Sequence, residues 1–237
     1  MADRDIAGLH RDTVSWADYA RYRADIYRTV SAAFALEPDE EHLRALLDLA
    51  SSALPDSCVR RCEWVFLNRI AKMDARDLAR VRTDIASEYA ELFVGPRPPL
   101  APLYESLYVG FPSRLCTGQT DLVRKFYARF GYRVVKEHRV PEDHMAYEVE
   151  FLGRLCSEEA SALAQGDISR AFEYERAQCE FVTCHLNLWT KDFATRVADA
   201  GMSGYYLAWA DFLRDFALED NAFLSESLSL QQHGTAH

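Results

Sequence analysis

The sequence lacks the short motifs that mark the commonest catalytic and cofactor sites. Its 237 residues contain no H-E-x-x-H and no E-x-x-H pair, the helical spacings of many zinc and di-iron sites. They also contain no G-x-G-x-x-G, no Gly-Lys dipeptide and no G-x-S-x-G, so the usual dinucleotide loop, phosphate loop and serine-nucleophile turn are excluded. We therefore expect a protein that is not an enzyme and that carries neither a cofactor nor a metal.

A long apolar run is also missing. No stretch approaches the roughly 20 apolar residues that a helix needs to cross a bilayer. The opening residues, M-A-D-R-D-I-A-G-L-H-R-D, carry charges of both signs and have no apolar centre, unlike a signal peptide. We expect a cytoplasmic protein with no stable insertion in a membrane.

None of the cysteines lies in a C-x-x-C motif. Cys58 and Cys62 are four residues apart, so one helix face could hold half of a metal site. Small buried thiols, kept reduced in the cytoplasm, are the simpler interpretation. We expect reduced thiols at all six positions, which are Cys58, Cys62, Cys116, Cys156, Cys179 and Cys184.

Basic residues are outnumbered by acidic ones, 27 to 37, which gives a formal charge of −10. A nucleic-acid partner is not expected, because phosphate contacts need a basic surface. A basic peptide suits this charge better, since it would be attracted and steered. Apolar residues make up 49% of the chain and aromatic residues 12%, which excludes a disordered protein.

Helical periodicity runs through almost the whole chain. One such stripe consists of Tyr19, Tyr22, Ile26 and Val30. Ser15, Pro38 and Asp74 are predicted to begin helices, because they suit the cap or the first turn. No alternation of strands and helices is visible, so we predict an all-α fold of about ten helices in two lobes joined by a hinge loop.

The predicted lobes follow from breaks in this pattern. Residues 1–131 form the N-terminal lobe, which contains a proline-rich loop at 94–103. Residues 132–141 lack a helical stripe and form the predicted hinge. Residues 142–224 form the C-terminal lobe, and residues 225–237 form a polar tail.

The proline-rich loop leads into a segment of unusual composition. A helical pattern stops at Gly95-Pro96, and the prolines that follow hold the backbone extended. The next residues are Tyr104-Glu105-Ser106-Leu107-Tyr108. A rigid loop that ends in aromatic, acidic and hydroxyl side chains suggests a binding surface, although a plain connector between two helices is the alternative.

Glu105 and its aromatic neighbours have the chemistry that recognises arginine. A carboxylate binds guanidinium with two parallel hydrogen bonds, and an aromatic face can stack on it. We therefore take Tyr104, Glu105, Ser106 and Tyr108 as candidate binding residues. Glu88, on the preceding helix, could add negative potential.

Asp143-His144 is the second candidate pair. An aspartate at a helix start can accept a backbone N–H, and the histidine beside it is expected to change charge near neutral pH. The alternative is that Asp143 only caps the helix from Met145 onward. His185 and Trp189 lie four residues apart, and we expect them to form a buried polar and aromatic contact outside the site.

Leucine and phenylalanine residues beside these candidates could line an apolar groove. Leu107 is the one that we include in the predicted site. Leu92, Phe93 and Leu103 could contribute as well. Core packing is the alternative for Leu92 and Phe93.

In their order along the chain, these motifs resemble the TorD/DmsD/NarJ family of maturation chaperones for molybdenum oxidoreductases. The similar segments are E-Y-x-x-L-F-V-G-P, P-x-Y-E-S-x-Y, the P-E-D-H-M at 141–145 and the H-L-x-x-W at 185–189. Two departures are Glu142, inserted between the usual proline and aspartate, and Tyr104, where many members carry tryptophan.

The resemblance implies a chaperone that binds a twin-arginine leader and holds its molybdopterin-dependent oxidoreductase subunit for cofactor insertion before export. The implied partners are that leader and the apo-form of the catalytic subunit, and the implied state is a monomer or a helix-exchanged homodimer. The family places Asp143 and His144 in its signal-peptide-binding region. We accordingly expect an acidic, aromatic groove formed by Tyr104–Tyr108 and this pair.

Other functions remain open at this point. A NarJ-type chaperone would assemble a membrane-bound reductase that is not exported. A small helical enzyme would use Asp143-His144 as an acid–base pair. A metal- or nucleotide-binding regulator would use the cysteines.

Overall fold

The computed structural model describes residues 15–51, 61–73, 76–95, 97–109, 118–135, 140–202 and 204–234. Within these ranges the protein is all-α, as predicted, and it contains no strand. The helices are α1 (Trp16–Ala35), α2 (Glu40–Ser51), α3 (Arg61–Ile70), α4 (Leu78–Tyr89), α5 (Gly118–Arg129), α6 (Met145–Ala164), α7 (Ile168–Phe181), α8 (Asn187–Asp199) and α9 (Gly204–Gly234). None of these helices has the length and apolar character of a membrane span.

Side-chain caps explain where the first helices begin. Ser15 precedes α1, as predicted, and its hydroxyl accepts a first-turn amide at 3.1 Å. Asp39, not Pro38, is the residue that caps α2. Its carboxylate accepts the backbone N–H of His42 at 2.7 Å. Asp77 caps α4. The predicted start at Asp74 lies outside the described residues.

The described residues form two compact units. The first unit contains those of Ala33–Leu103 and Thr190–Phe216. The second unit contains those of 15–32, Tyr104–Trp189 and 217–234. The lobes predicted from the sequence have other boundaries, and they stay a prediction. Described residues of the predicted tail, up to 234, continue helix α9.

An aromatic cluster forms the centre of the first unit. Phe93, on a π-helical turn after α4, lies 6.1 Å from Phe34, 6.1 Å from Phe193 and 5.0 Å from Tyr206 between ring centroids. Leu92, the neighbour of Phe93, is also buried. Both residues therefore belong to this core, as the core-packing alternative predicted.

Helix α6 is the central helix of the second unit. Its Phe151 packs against Phe126 and Phe181, with ring centroids 6.0 and 5.1 Å apart. Gly153 faces helix α1, where an added Cβ would lie 3.3 Å from the carbonyl oxygen of Ala24. This glycine permits close packing of helices α1 and α6.

Candidate functional site

The two segments that carry the predicted site residues lie side by side in the second unit. Tyr104 and His144 form an isolated antiparallel bridge, and their rings meet edge to face at 5.1 Å. The backbone N–H of Glu105 donates to the carbonyl oxygen of Asp143 at 3.0 Å. Residues that are distant in sequence are thus joined at the start of helix α6.

The side chain of Asp143 is buried and binds groups of the protein itself. Its Oδ2 accepts the backbone N–H of Ser106 at 2.9 Å, and its Oδ1 accepts the hydroxyl of Thr120 at 2.9 Å. The exposed fraction of the residue is 0%. In this conformation Asp143 attaches the Tyr104–Tyr108 segment to helix α5 and presents no charge to a ligand.

His144, not Asp143, caps helix α6 with its side chain. Its Nδ1 accepts the backbone N–H of Ala146 at 3.2 Å. Burial lowers the pKa of His144 to about 4, although the charge of Asp143 acts in the opposite direction. The prediction that this imidazole changes charge near neutral pH is wrong, because desolvation outweighs the neighbouring carboxylate.

Glu105 is also buried, in a polar cluster behind the segment. Its carboxylate accepts the side-chain N–H of Gln119 at 2.7 Å, and it lies 3.1 Å from Nδ1 of His185. The exposed fraction of Glu105 is 0%. A direct contact between Glu105 and an arginine of a ligand would require these hydrogen bonds to break.

Glu148 belongs to the same cluster and was not predicted as a site residue. Its carboxylate accepts the indole N–H of Trp189 at 3.1 Å. Burial raises the pKa of Glu148, and the charges of Glu105 and Asp143 raise it further. The available signal was a glutamate within the apolar stripe of α6, next to Val149. His185 and Trp189 are buried, as expected.

Aromatic and apolar side chains remain accessible at this site. Tyr104, Leu107, Tyr108 and His144 are all half-buried, and we call them the aromatic surface. The Tyr108 ring lies 5.2 Å from that of buried Trp189. The surface is therefore aromatic, while the carboxylates predicted to face the ligand lie beneath it.

The remaining predictions concern Glu88 and the thiols. Glu88 is half-buried on helix α4, in the first unit. Among the described cysteines, Cys62 and Cys156 are buried, Cys179 is half-buried and Cys184 is exposed. Cys58 and Cys116 lie outside the described residues. In the part of the chain that the structure describes, no group of three or more His, Cys, Asp or Glu has the arrangement of a metal site.

Comparison with known proteins adds independent information. Residues 38–195 match the family model of the nitrate reductase delta subunit. Chaperone protein TorD of Vibrio parahaemolyticus is 25% identical over 85% of this chain and 94% of its own length. Chaperone protein TorD of Photobacterium profundum is 27% identical over the same shares. The chlorate reductase assembly chaperone protein of Ideonella dechloratans is 31% identical over 54% of this chain and 65% of its own length. The range matched by the family model includes Tyr104–Tyr108 and Asp143-His144.

Proposed function

The chain belongs to the nitrate reductase delta subunit family of chaperones, and from this premise we propose a twin-arginine leader as its ligand. It is a chaperone of molybdoenzyme maturation and not an enzyme. In the proposed cycle, the protein holds the apo-form of the catalytic subunit in the cytoplasm while the molybdenum cofactor is inserted. The subunit is then released for export.

The observation that carries this proposal is the aromatic surface at two motifs of the family. Tyr104, Leu107, Tyr108 and His144 are accessible together, and two of them are joined by the backbone bridge. Burial of apolar area contributes about 25 cal/mol per Å². We propose that this surface receives the apolar stretch of the leader.

Glu105, Ser106 and Asp143 act as positioning residues in this proposal. The hydrogen bonds of the two carboxylates fix the segment before a ligand arrives. Fixing a binding segment in advance reduces the entropy that is lost on association. Glu88 remains a proposed source of negative potential that attracts the basic leader.

The test is capture of the client from the native host. The tagged protein is purified from anaerobically grown cells, and the accompanying proteins are identified by mass spectrometry. We expect a molybdoenzyme catalytic subunit that still carries its twin-arginine leader. Capture of no oxidoreductase, under conditions in which such subunits are expressed, would contradict the proposal.

A matched pair of variants connects this result to the aromatic surface. Tyr104→Ser with Leu107→Ser should lower the recovered client about tenfold, because both apolar contacts are lost. Leu122→Ser, on exposed helix α5 surface, is the control and should leave recovery unchanged. Equal recovery with a folded double variant would remove the aromatic surface from the site.

A NarJ-type role is the second candidate, because the family model that matches the chain is that of the nitrate reductase delta subunit. Such a chaperone would assemble a membrane-bound reductase that is not exported. The same capture experiment separates the two roles. A catalytic subunit without a twin-arginine leader would assign the protein to the second role.

A further inference from the structure

An open groove lies at the other end of helix α6 within the second unit. It has a volume of about 310 Å³ and lies against the first residue of α1, the C-terminal half of α6, the first two turns of α7 and the C-terminal part of α9. Its apolar side chains include Trp16, Leu163, Ile168, Phe172, Phe223 and Leu230. We call it the α7–α9 groove.

Three carboxylates accompany these apolar side chains. Glu159 and Glu175 are only 8% and 5% exposed, and Glu159 already pairs with Arg23 at 3.2 Å, while Glu226 is exposed at the rim. Glu175 accepts a hydrogen bond from the neutral amide of Gln231 at 3.0 Å. The described residues that line the groove include no lysine, arginine or histidine.

The combination of acidic and aromatic groups suits a guanidinium. Carboxylates bind guanidinium through charge-assisted hydrogen bonds, and aromatic faces stack on it. Trp16 is 56% exposed, and its ring lies 6.1 Å from that of Phe223. Glu175 is nearly buried, and an incoming cation would provide its carboxylate with a charged partner.

The groove also has the form of a peptide-binding surface. On α9, Phe223, Glu226 and Leu230 recur at helical spacing, and on α7, Phe172 and Glu175 do the same. Such parallel stripes on neighbouring helices form elongated grooves that take peptides. Acidic and apolar groups therefore line one continuous path.

We propose that the α7–α9 groove binds the paired arginines of the leader together with the apolar residue next to them. The proposal rests on the function proposed above and gives the same ligand a second contact region. Charge complementarity determines the choice of occupant, because the groove is acidic and the leader is basic. The net charge of −10 adds long-range attraction.

The geometry sets a minimum length for a leader that reaches both regions. His144 caps the start of α6 and Glu159 lies in its C-terminal half, about 22 Å farther along the helix axis. An extended peptide covers that distance with about seven residues. A leader that occupies both regions must therefore have at least this separation between its arginines and the stretch that contacts the aromatic surface.

The test is the affinity of a fluorescein-labelled synthetic peptide, with two adjacent arginines followed by an apolar segment, measured by anisotropy. Glu175→Gln with Glu226→Gln should raise Kd about tenfold, because two charged partners of the arginines are lost. A peptide with both arginines replaced by glutamine should bind this double variant and the unmodified protein alike.

Matched controls separate the groove from general charge effects. Glu158→Gln with Glu173→Gln makes the same charge change at exposed positions of α6 and α7, and it should change Kd less than about twofold. Leu230→Lys should weaken binding about tenfold. Leu218→Lys, at a similarly exposed position of α9 outside the groove, should not.

Each alternative result has a definite meaning. Tight binding that is equal in the unmodified protein and in the groove variants would overturn this inference and leave the proposed function intact. Absence of binding to the unmodified protein would overturn both. If Leu230→Lys changes the sedimentation of the free protein and not its peptide affinity, the groove is an interface between copies, and the inference fails.

Hydrogen exchange provides a measurement without substitutions. Bound peptide should slow amide exchange in segments 168–175 and 223–231, which border the groove. Slowing confined to segments 104–108 and 141–147 would contradict the inference and would still support leader binding.

Discussion

Two buried polar clusters in the second unit differ in how their charge is balanced. We call them the arginine cluster, which surrounds Arg23, and the carboxylate cluster, which surrounds Glu105. The arginine cluster consists of Arg23, Glu159, Gln178 and Asp220. The carboxylate cluster consists of Glu105, Asp143, Glu148 and His185.

In the arginine cluster, a fully buried guanidinium binds side chains from three other helices. Its Nε donates to Asp220 at 2.6 Å, and its terminal nitrogens donate to Gln178 at 2.5 Å and to Glu159 at 3.2 Å. Each buried carboxylate thus has a cationic partner. This cluster connects α1, α6, α7 and α9, so we expect its chief role to be stability of the fold.

The carboxylate cluster receives mostly neutral donors. Asp143 accepts a backbone amide and a hydroxyl, Glu105 accepts an amide of Gln119, and Glu148 accepts the indole N–H of Trp189. Burial raises the pKa of both Glu148 and Glu159, but the neighbouring carboxylates raise it further at Glu148, whereas Arg23 lowers it at Glu159. The negative charge of the carboxylate cluster is therefore less well compensated. One cluster therefore joins helices, and the other holds the Tyr104–Tyr108 segment against helices α5 and α6.

Removal of the guanidinium should have the largest effect on stability. Arg23→Met leaves two buried carboxylates without a cation, so the free energy of unfolding should fall by about 3–5 kcal/mol. The melting temperature should be lower by roughly 10 °C. Urea denaturation followed by circular dichroism measures the change.

Arg21→Met is the matched control for this prediction. Arg21 lies on the same helix, is exposed, and pairs with Asp18. Its removal should change the free energy of unfolding by less than about 0.5 kcal/mol. Equal losses in the two variants would show that the arginine cluster does not stabilise the fold in the way that the comparison requires.

A substitution in the carboxylate cluster should have a smaller effect on stability and a clearer effect on binding. In Asp143→Asn, one acceptor oxygen becomes an amide donor and the negative charge is lost. Either the Ser106 N–H then loses its acceptor, or the Thr120 hydroxyl must change from donor to acceptor. We expect a loss of about 1–3 kcal/mol in the free energy of unfolding. Leader affinity should fall as well, because the Tyr104–Tyr108 segment is no longer fixed.

Asp121→Asn provides the control, since Asp121 is exposed on helix α5 and pairs with Arg124. It should leave both stability and peptide affinity unchanged within about 0.5 kcal/mol. If Asp143→Asn lowers stability but leaves peptide affinity equal to that of the control, the cluster has a structural role only.

The helical fold was predictable because apolar periodicity is a local property of the sequence. Ser15 was identified correctly for the same reason, since a cap acts within one turn. The predicted start of α2, Pro38, lies one residue before the actual cap, Asp39, because proline and aspartate both suit a helix start. Local patterns of this kind identify a segment as a helix but do not fix the residue at which the helix begins.

The arrangement at the site was only partly predictable. The family motifs correctly indicated that Tyr104 and His144 belong together, since they form a bridge. Burial of Glu105 depends on Gln119 and His185, which reach it only through tertiary packing. No spacing rule connects such residues, so the sequence alone predicts a carboxylate that is available to a ligand.

The α7–α9 groove was missed for a different reason. The sequence predicts a polar tail at 225–237, because polar residues such as serine and glutamine dominate it. Phe223 and Leu230 do have helical spacing, and α9 continues through them. The apolar stripe was too sparse to predict a buried helix face, but it is sufficient for a groove that is half open.

The smallest expected effect concerns the pH dependence of stability. The pKa of Glu148 in the folded protein is raised above the ordinary value of 4.5. The contribution of Glu148 to stability is therefore complete below pH 4.5. This contribution is lost as pH rises through the folded-state pKa. Glu148→Gln does not ionise, so its free energy of unfolding relative to the unmodified protein should increase from acidic to neutral pH.

His144→Asn is the control that makes this prediction specific, because its pH effect has the opposite sign. The pKa of His144 is lowered from 6.5 to about 4, so its contribution is complete above 6.5 and is lost as pH falls through about 4. Asparagine keeps an acceptor for the cap of α6 and does not titrate, so this variant should lose less stability in acid. Urea denaturation across this pH range measures both variants. A Glu148→Gln difference that stays constant with pH would mean that the pKa of Glu148 is the same in the folded and the unfolded protein, and the carboxylate cluster would then be better compensated than the comparison requires.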